Sequence, residues 1–142
     1  MSICYLLRLF LRSRKKSAEV YLPISIGEAV DRLTILELKL EAIGPTRDLS
    51  IPIEDLKYQL RWVLDDPLLN ELVTGLRKVN KILWGLEDDA RRTPRENETR
   101  CCEIAGGIWD YNGCRAELKR ELDAKTSSLH ADKKQYASRG LG

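Results

Sequence analysis

The chain has 142 residues, 43% hydrophobic and 6% aromatic, and sets 24 Lys and Arg against 22 Asp and Glu for a formal charge of +2. This fits one ordinary domain with a real core and argues against disorder and an aromatic-rich β-sandwich; no apolar run reaches the ~18 residues of a membrane span. The charge is uneven, because residues 1–16 hold Arg8, Arg12, Arg14, Lys15 and Lys16 and no acid, which leaves −3 for residues 17–142 and disfavours nucleic-acid binding by the body.

Residues 1–21 read as a basic and apolar N-terminal extension. The run Ile3 to Leu11 precedes the cluster Arg12-Ser13-Arg14-Lys15-Lys16, the reverse of an export signal, whose charge comes first. Packing on the body or fraying is expected of residues 3–16. The alternative is a membrane-surface contact, with the apolar residues among acyl chains and the basic cluster on anionic headgroups.

Ser25-Ile26-Gly27-Glu28 has capping-box spacing, so a first helix begins there, with Ser25 and Glu28 each bonding the other's amide. Ile26, Val30, Leu33, Leu36 or Glu37, Leu40 and Ile43 keep a helical repeat, and Gly44-Pro45 stops it. Ile35, Leu38 and Ala42 lie off that stripe, which gives the helix a wide apolar arc with neighbours on two sides. A loop over Pro45 to Ser50 leads into a short second helix marked by Ile53, Leu56, Leu60, Val63 and Leu64. Asp66 caps a third helix with Pro67 at its first position.

Leu69, Leu72, Leu76, Val79, Leu83, Leu86 and Ala90 then step by three and four without a break, the seam of an antiparallel hairpin or coiled coil reaching about Arg92. Thr93-Pro94-Arg95-Glu96 offers a second capping box for a fourth helix with the stripe Cys101, Ile104, Ile108, Tyr111, Arg115, Leu118 and Leu122. Gly106-Gly107 marks a kink or a close backbone approach, and Thr126-Ser127-Ser128 an end. Val20 to Ile24 is the one strand candidate. The expected fold is all-α, an antiparallel hairpin or bundle of about four helices with one long pair, over residues 22–128; residues 129–142 form a polar tail.

Helical spacing aligns Asn80, Trp84, Glu87 and Arg91 on the third helix and Asn112, Arg115 and Lys119 on the fourth. With Asp88 they border the seam, either as a polar cleft for an anionic small molecule or as groups that satisfy one another. In the second case Glu87 pairs with Arg91, and Arg115 snorkels or meets a carboxylate across the interface. Asp31, Arg32, Glu37 and Lys39 are the candidate partners from the first helix.

His130, the only histidine, sits near the tail, so a His triad or His-rich metal site is excluded. Cys4, Cys101, Cys102 and Cys114 have no Cys-x-x-Cys spacing, and Cys101 and Cys114 stand about 19 Å apart on one helix, beyond disulfide reach. They read as small buried or half-buried hydrophobes in a reducing cytosol, and neither a metal nor a cofactor is expected.

The stretch Ile24-Ser25-Ile26-Gly27-Glu28 through Asp31-Arg32-Leu33-Thr34-Ile35-Leu36-Glu37-Leu38-Lys39 resembles the opening signature of a bacterial family of small helical proteins, a domain-of-unknown-function group. Val79-Asn80-Lys81-Ile82-Leu83-Trp84-Gly85-Leu86-Glu87-Asp88 is similar to its second motif, and Asn112, Arg115 and Lys119 match a third. The likeness spans about residues 22–136. Gly106-Gly107 and Gly113 depart from its pattern, and the basic extension lies outside it. The resemblance implies an all-helical cytosolic protein and carries a loose association with surface-glycan genes.

The function expected from these features is a helical interaction module, a homo-oligomer or a partner of another helical protein. The seam of the third helix and the arc of the first look larger than one short hairpin can cover. The alternative is a protein that binds, or an enzyme that acts on, a phosphorylated sugar or sugar nucleotide through the inter-helix cleft.

Overall fold

Where the chain reaches Ser25 its local chemistry starts a helix, and the computed structural model, which describes residues 22–128, places α1 at Ile26–Ile43. The Ser25 hydroxyl accepts the Glu28 amide at 3.1 Å. The reciprocal half of the capping box does not form, because the Glu28 carboxylate turns to the Lys119 ammonium at 2.5 Å. Asp123 takes over, its Oδ1 accepting the Gly27 amide at 2.6 Å, and the Ser128 hydroxyl accepts the Ile26 amide at 3.4 Å. Orphan amides of the first turn are thus met from a distant helix, and a carboxylate there also suits the helix dipole. At the far end Gly44 adopts φ +82° and donates its amide to the Leu40 carbonyl.

The second helix, α2, spans Arg47–Leu64 and corrects the expected loop to Ser50. Pro52 lies inside it, in the second turn, where it removes one backbone donor. Burial of Leu49 and Ile53 on either side of Pro52 offsets that loss.

The long third helix, α3, runs Pro67–Arg92, with Asp66 Oδ1 accepting the Leu68 and Leu69 amides at 2.8 and 3.1 Å. The expected second capping box does not form. Thr93 instead closes α3, its hydroxyl donating to the Asp89 carbonyl at 2.8 Å, and Asn97 caps α4 at Glu98–Lys125 through the Arg100 amide at 3.2 Å.

These four helices form an all-α bundle, and no strand occurs among the described residues; Leu22 to Ile24, the described part of the strand candidate, are irregular. The hairpin of α3 and α4 is antiparallel in one register. A Cβ on Gly75 would stand 3.4 Å from the Leu118 side chain and one on Gly107 3.2 Å from that of Leu86, eleven residues apart on both helices. Gly107 is therefore the close approach, whereas nothing lies within 4 Å of the corresponding point on Gly106.

The core fills the space where α1 and α2 cover the hairpin, with Val30, Leu33, Val63, Leu76 and Leu122 fully buried. Beyond that zone α3 and α4 continue as a two-helix arm in which Leu83 and Ile104 are the buried apolar residues. At its tip Arg100 of α4 binds Asp89 of α3 at 3.1 Å. No helix of the described residues is long and apolar enough to cross a membrane. The extension of residues 1–21 with Cys4, and the tail of residues 129–142 with His130, lie outside the described residues.

Candidate functional site

Three helices converge where the arm leaves the body. Asp31 of α1, only 2% exposed, is the anchor: its Oδ1 accepts the Asn80 side-chain amide of α3 at 2.8 Å, and its Oδ2 lies 3.1 Å from the Arg115 guanidinium of α4. Asn80 also donates to the Thr34 hydroxyl at 2.8 Å, and Thr34 donates to the Asp31 carbonyl. Lys119 stands 3.8 Å from Asp31 and bridges to Glu28. A buried carboxylate is costly unless paired and hydrogen-bonded, and Asp31 has both kinds of partner; no buried side-chain polar atom lacks a hydrogen bond among the described residues. Two acids and two bases balance in this cluster.

In front of it opens a cleft of about 260 Å³. Ile35, Leu38 and Leu83 form its apolar wall, and Trp84 stands half-buried beside them. Asn80, Glu87, Arg91, Arg115 and Lys39 supply the polar rim. The wide apolar arc of α1 explains Ile35 and Leu38: they lie off the main stripe because they face this cleft.

Most of the expected cleft residues therefore meet. Asn80, Trp84, Glu87 and Arg91 share one face of α3 as their spacing required, and Arg115 faces them from α4. Asp88 does not join them; it accepts Arg91 at 2.5 Å on the rim and lies 4.0 Å from Arg92. Asn112 is exposed, 3.5 Å from an Arg115 amino group, and Lys119 sits behind the cleft in the Asp31 cluster. Glu87 and Arg91 form the expected i, i+4 pair at 3.5 Å.

The first-helix candidates divide. Asp31 reaches the site from behind and Lys39 lines it, while Arg32 is exposed with no ion pair among the described residues. Glu37 is used elsewhere, taking Lys57 of α2 at 3.0 Å and Arg77 of α3, with the Arg77 Nε at 3.2 Å, so that one carboxylate ties three helices. Thr34 was missed from sequence. The signal was its position three residues after Asp31, one turn along the same face.

The apolar surfaces need a second correction. The α3 seam and the α1 arc, expected to seek an outside partner, are largely covered within the chain. Exposed large hydrophobics remain on every helix, Ile43 on α1, Tyr58 and Trp62 on α2, Leu68 on α3, and the most exposed of them is on α4. Trp109 is 82% exposed on the face opposite Ile104 and Leu122, and Ile82 of α3 is 40% exposed on the same arm. Cys102 and Cys114 are exposed, not half-buried, and among the described cysteines only Cys101 is partly covered. A small apolar groove of about 120 Å³ runs between Ala90 and the Cys101, Ile104, Ala105 and Ile108 side of α4.

Protein-family models, curated proteins and solved structures all return no match to this chain.

Proposed function

We propose that the protein is a self-associating helical module whose contact surface is the outer face of α4 and whose partner is a second copy of the chain. The observation that carries this is Trp109, a large aromatic left 82% in water on a helix whose opposite face is already packed. Aromatics of this size dominate interface energetics when they are buried. Cys102, Ala105, Trp109, Asn112 and Ala116 repeat at three and four, a second uncharged stripe on α4, in a chain in which 32% of residues are charged. A helix apolar on two sides is designed for two neighbours. Space for the second is there, since nothing lies within 4 Å of where a Cβ would stand on Gly106 or Gly113.

Charge selects the orientation. Glu98 and Arg120, both exposed, stand eleven residues before and eleven after Trp109 on the outer side of α4. Glu98 of one copy meets Arg120 of the other only if two copies pack antiparallel, with the two Trp109 rings at the centre of a two-fold contact. Cys102 and Ala116 lie seven residues to either side of Trp109 and face each other in that arrangement.

Light scattering and sedimentation over a wide concentration range test the proposal. A dimer that Trp109→Asp converts to a monomer of unchanged helicity is the expected result. With Cys4, Cys101 and Cys114 replaced by Ser, Ala116→Cys should form a covalent dimer with Cys102 on mild oxidation, and Cys102 alone should not. A monomer at every concentration, or a dimer indifferent to Trp109→Asp, overturns the reading.

A further inference from the structure

We infer that the cleft between α1, α3 and α4 is a binding site for a small molecule bearing an oxyanion next to a flat apolar ring, with Arg115 as the anion anchor and Asp31 as the residue that positions it. The site is independent of the α4 outer face.

The polar rim fixes the ligand's charge. Arg115, Arg91 and Lys39 face Glu87 alone, three cations against one carboxylate. Arg91 is shared with Glu87 and Asp88 on the exposed rim, so it is already compensated. Lys39 has no ion pair among the described residues. Arg115 is the preorganised group: its side chain is 32% exposed and one amino nitrogen is held by the buried Asp31 carboxylate at 3.1 Å. A guanidinium held from behind in a partly dry site has lost its rotamer freedom before any ligand arrives, which is how preorganisation raises affinity. Asp31 does not spend its whole charge on Arg115, because Lys119 lies 3.8 Å from the same oxygen and Asn80 donates to the other.

The apolar side fixes the ligand's body. Trp84 stands beside Ile35, Leu38 and Leu83, which offers an aromatic face and an aliphatic floor to one ring. A volume of about 260 Å³ falls below the ~300–1,000 Å³ of drug-sized sites, so a single ring with one anionic group fits and a dinucleotide does not. No serine, threonine, cysteine or histidine lines the cleft, and the inference is of binding.

Phenyl phosphate, inorganic phosphate and phenol separate the two halves of this chemistry. Titrated into the full-length protein and followed by the Trp84 indole N–H resonance and by calorimetry, phenyl phosphate should bind tightest, inorganic phosphate more weakly, and phenol weakest. Lys39→Ala, an exposed change that the fold tolerates, should weaken phenyl phosphate several-fold, and Arg115→Ala roughly tenfold or more. Asp31→Asn keeps the shape of the side chain and Arg115 itself. If Asp31 positions Arg115, this variant loses the preference for phenyl phosphate over phenol; if Asp31 only holds the fold, both ligands weaken together and the preference stays. A Trp84 resonance that none of the three ligands moves, or equal binding of phenyl phosphate and phenol by the wild type, overturns the site. Unchanged affinity in both Lys39→Ala and Arg115→Ala does the same.

Discussion

The body and the arm are built from the same two long helices and differ in what covers them. In the body α1 and α2 close over α3 and α4, and Leu33, Leu76 and Leu122 are excluded from water. In the arm the identical three-and-four seam continues through Leu83, Leu86 and Ala90, and its cover runs out along the way: Leu83 is buried, Leu86 half-buried and Ala90 exposed. Sequence periodicity says which side of a helix is apolar; the number of neighbouring elements says how much of that side becomes dry. The polar cleft sits where one regime gives way to the other, which is why charged side chains there are partly desolvated without being sealed.

The sharpest way to break this comparison is by truncation in each region. Leu76→Ala should cost about 3–5 kcal/mol in denaturant melts, because a fully buried Leu in a four-sided core leaves a cavity that cannot collapse. Ile104→Ala in the arm should cost about 2 kcal/mol, at the low end for such changes, since one neighbouring helix can move in. Equal losses would mean that the arm is as well packed as the body.

Glycines sharpen it further. At Gly27 a Cβ would run into the Lys119 carbonyl oxygen and stand 3.0 Å from Asp123 Oδ1, and backbone cannot step aside as a side chain can. Gly27→Ala should therefore destabilise by about 2–3 kcal/mol and loosen the α1 cap, seen as faster exchange of the neighbouring Ile26 and Glu28 amides. The smallest effect has the opposite sign. Gly85, in the arm, has nothing within 4 Å of its Cβ position, so Gly85→Ala should stabilise by about 0.5–1 kcal/mol through helix propensity and a less flexible unfolded chain. A loss of stability there would place an unseen neighbour on that face.

Much of the candidate site was legible because it obeyed helical spacing. Asn80, Trp84, Glu87 and Arg91 fall on one line at four, three and four residues, and any helix over that stretch must bring them together. Arg115 was conspicuous as a charge in an apolar stripe, and a carboxylate across the interface was one of the two outcomes expected for it. Which carboxylate was not legible: Asp31 is 49 residues from Asn80 and still further from Arg115. Asp88, Asn112 and Lys119 carried the same residue types at plausible positions, but their places around and along the helices leave them outside the cleft lining. Trp109 lies on a second stripe of α4 with the same period as the inner one, and period alone does not say which of two stripes is covered.

The sequence by itself determined the all-helical class, the start of α1 at Ser25, the stop at Gly44, the Asp66-Pro67 entry to α3 and the unbroken seam through Ala90. All of these are set by interactions within about one turn or by the 3.6-residue repeat, which need no knowledge of neighbours. Tertiary structure alone decided that α2 runs through Pro52, that Asp123 caps Gly27 across 96 residues, that Glu28 leaves its own cap for Lys119, and that Trp109 faces outward. Each is a competition between a local preference and a distant partner. Burial or charge pairing can exceed a single local hydrogen bond, so the outcome depends on which elements the folded chain brings within reach.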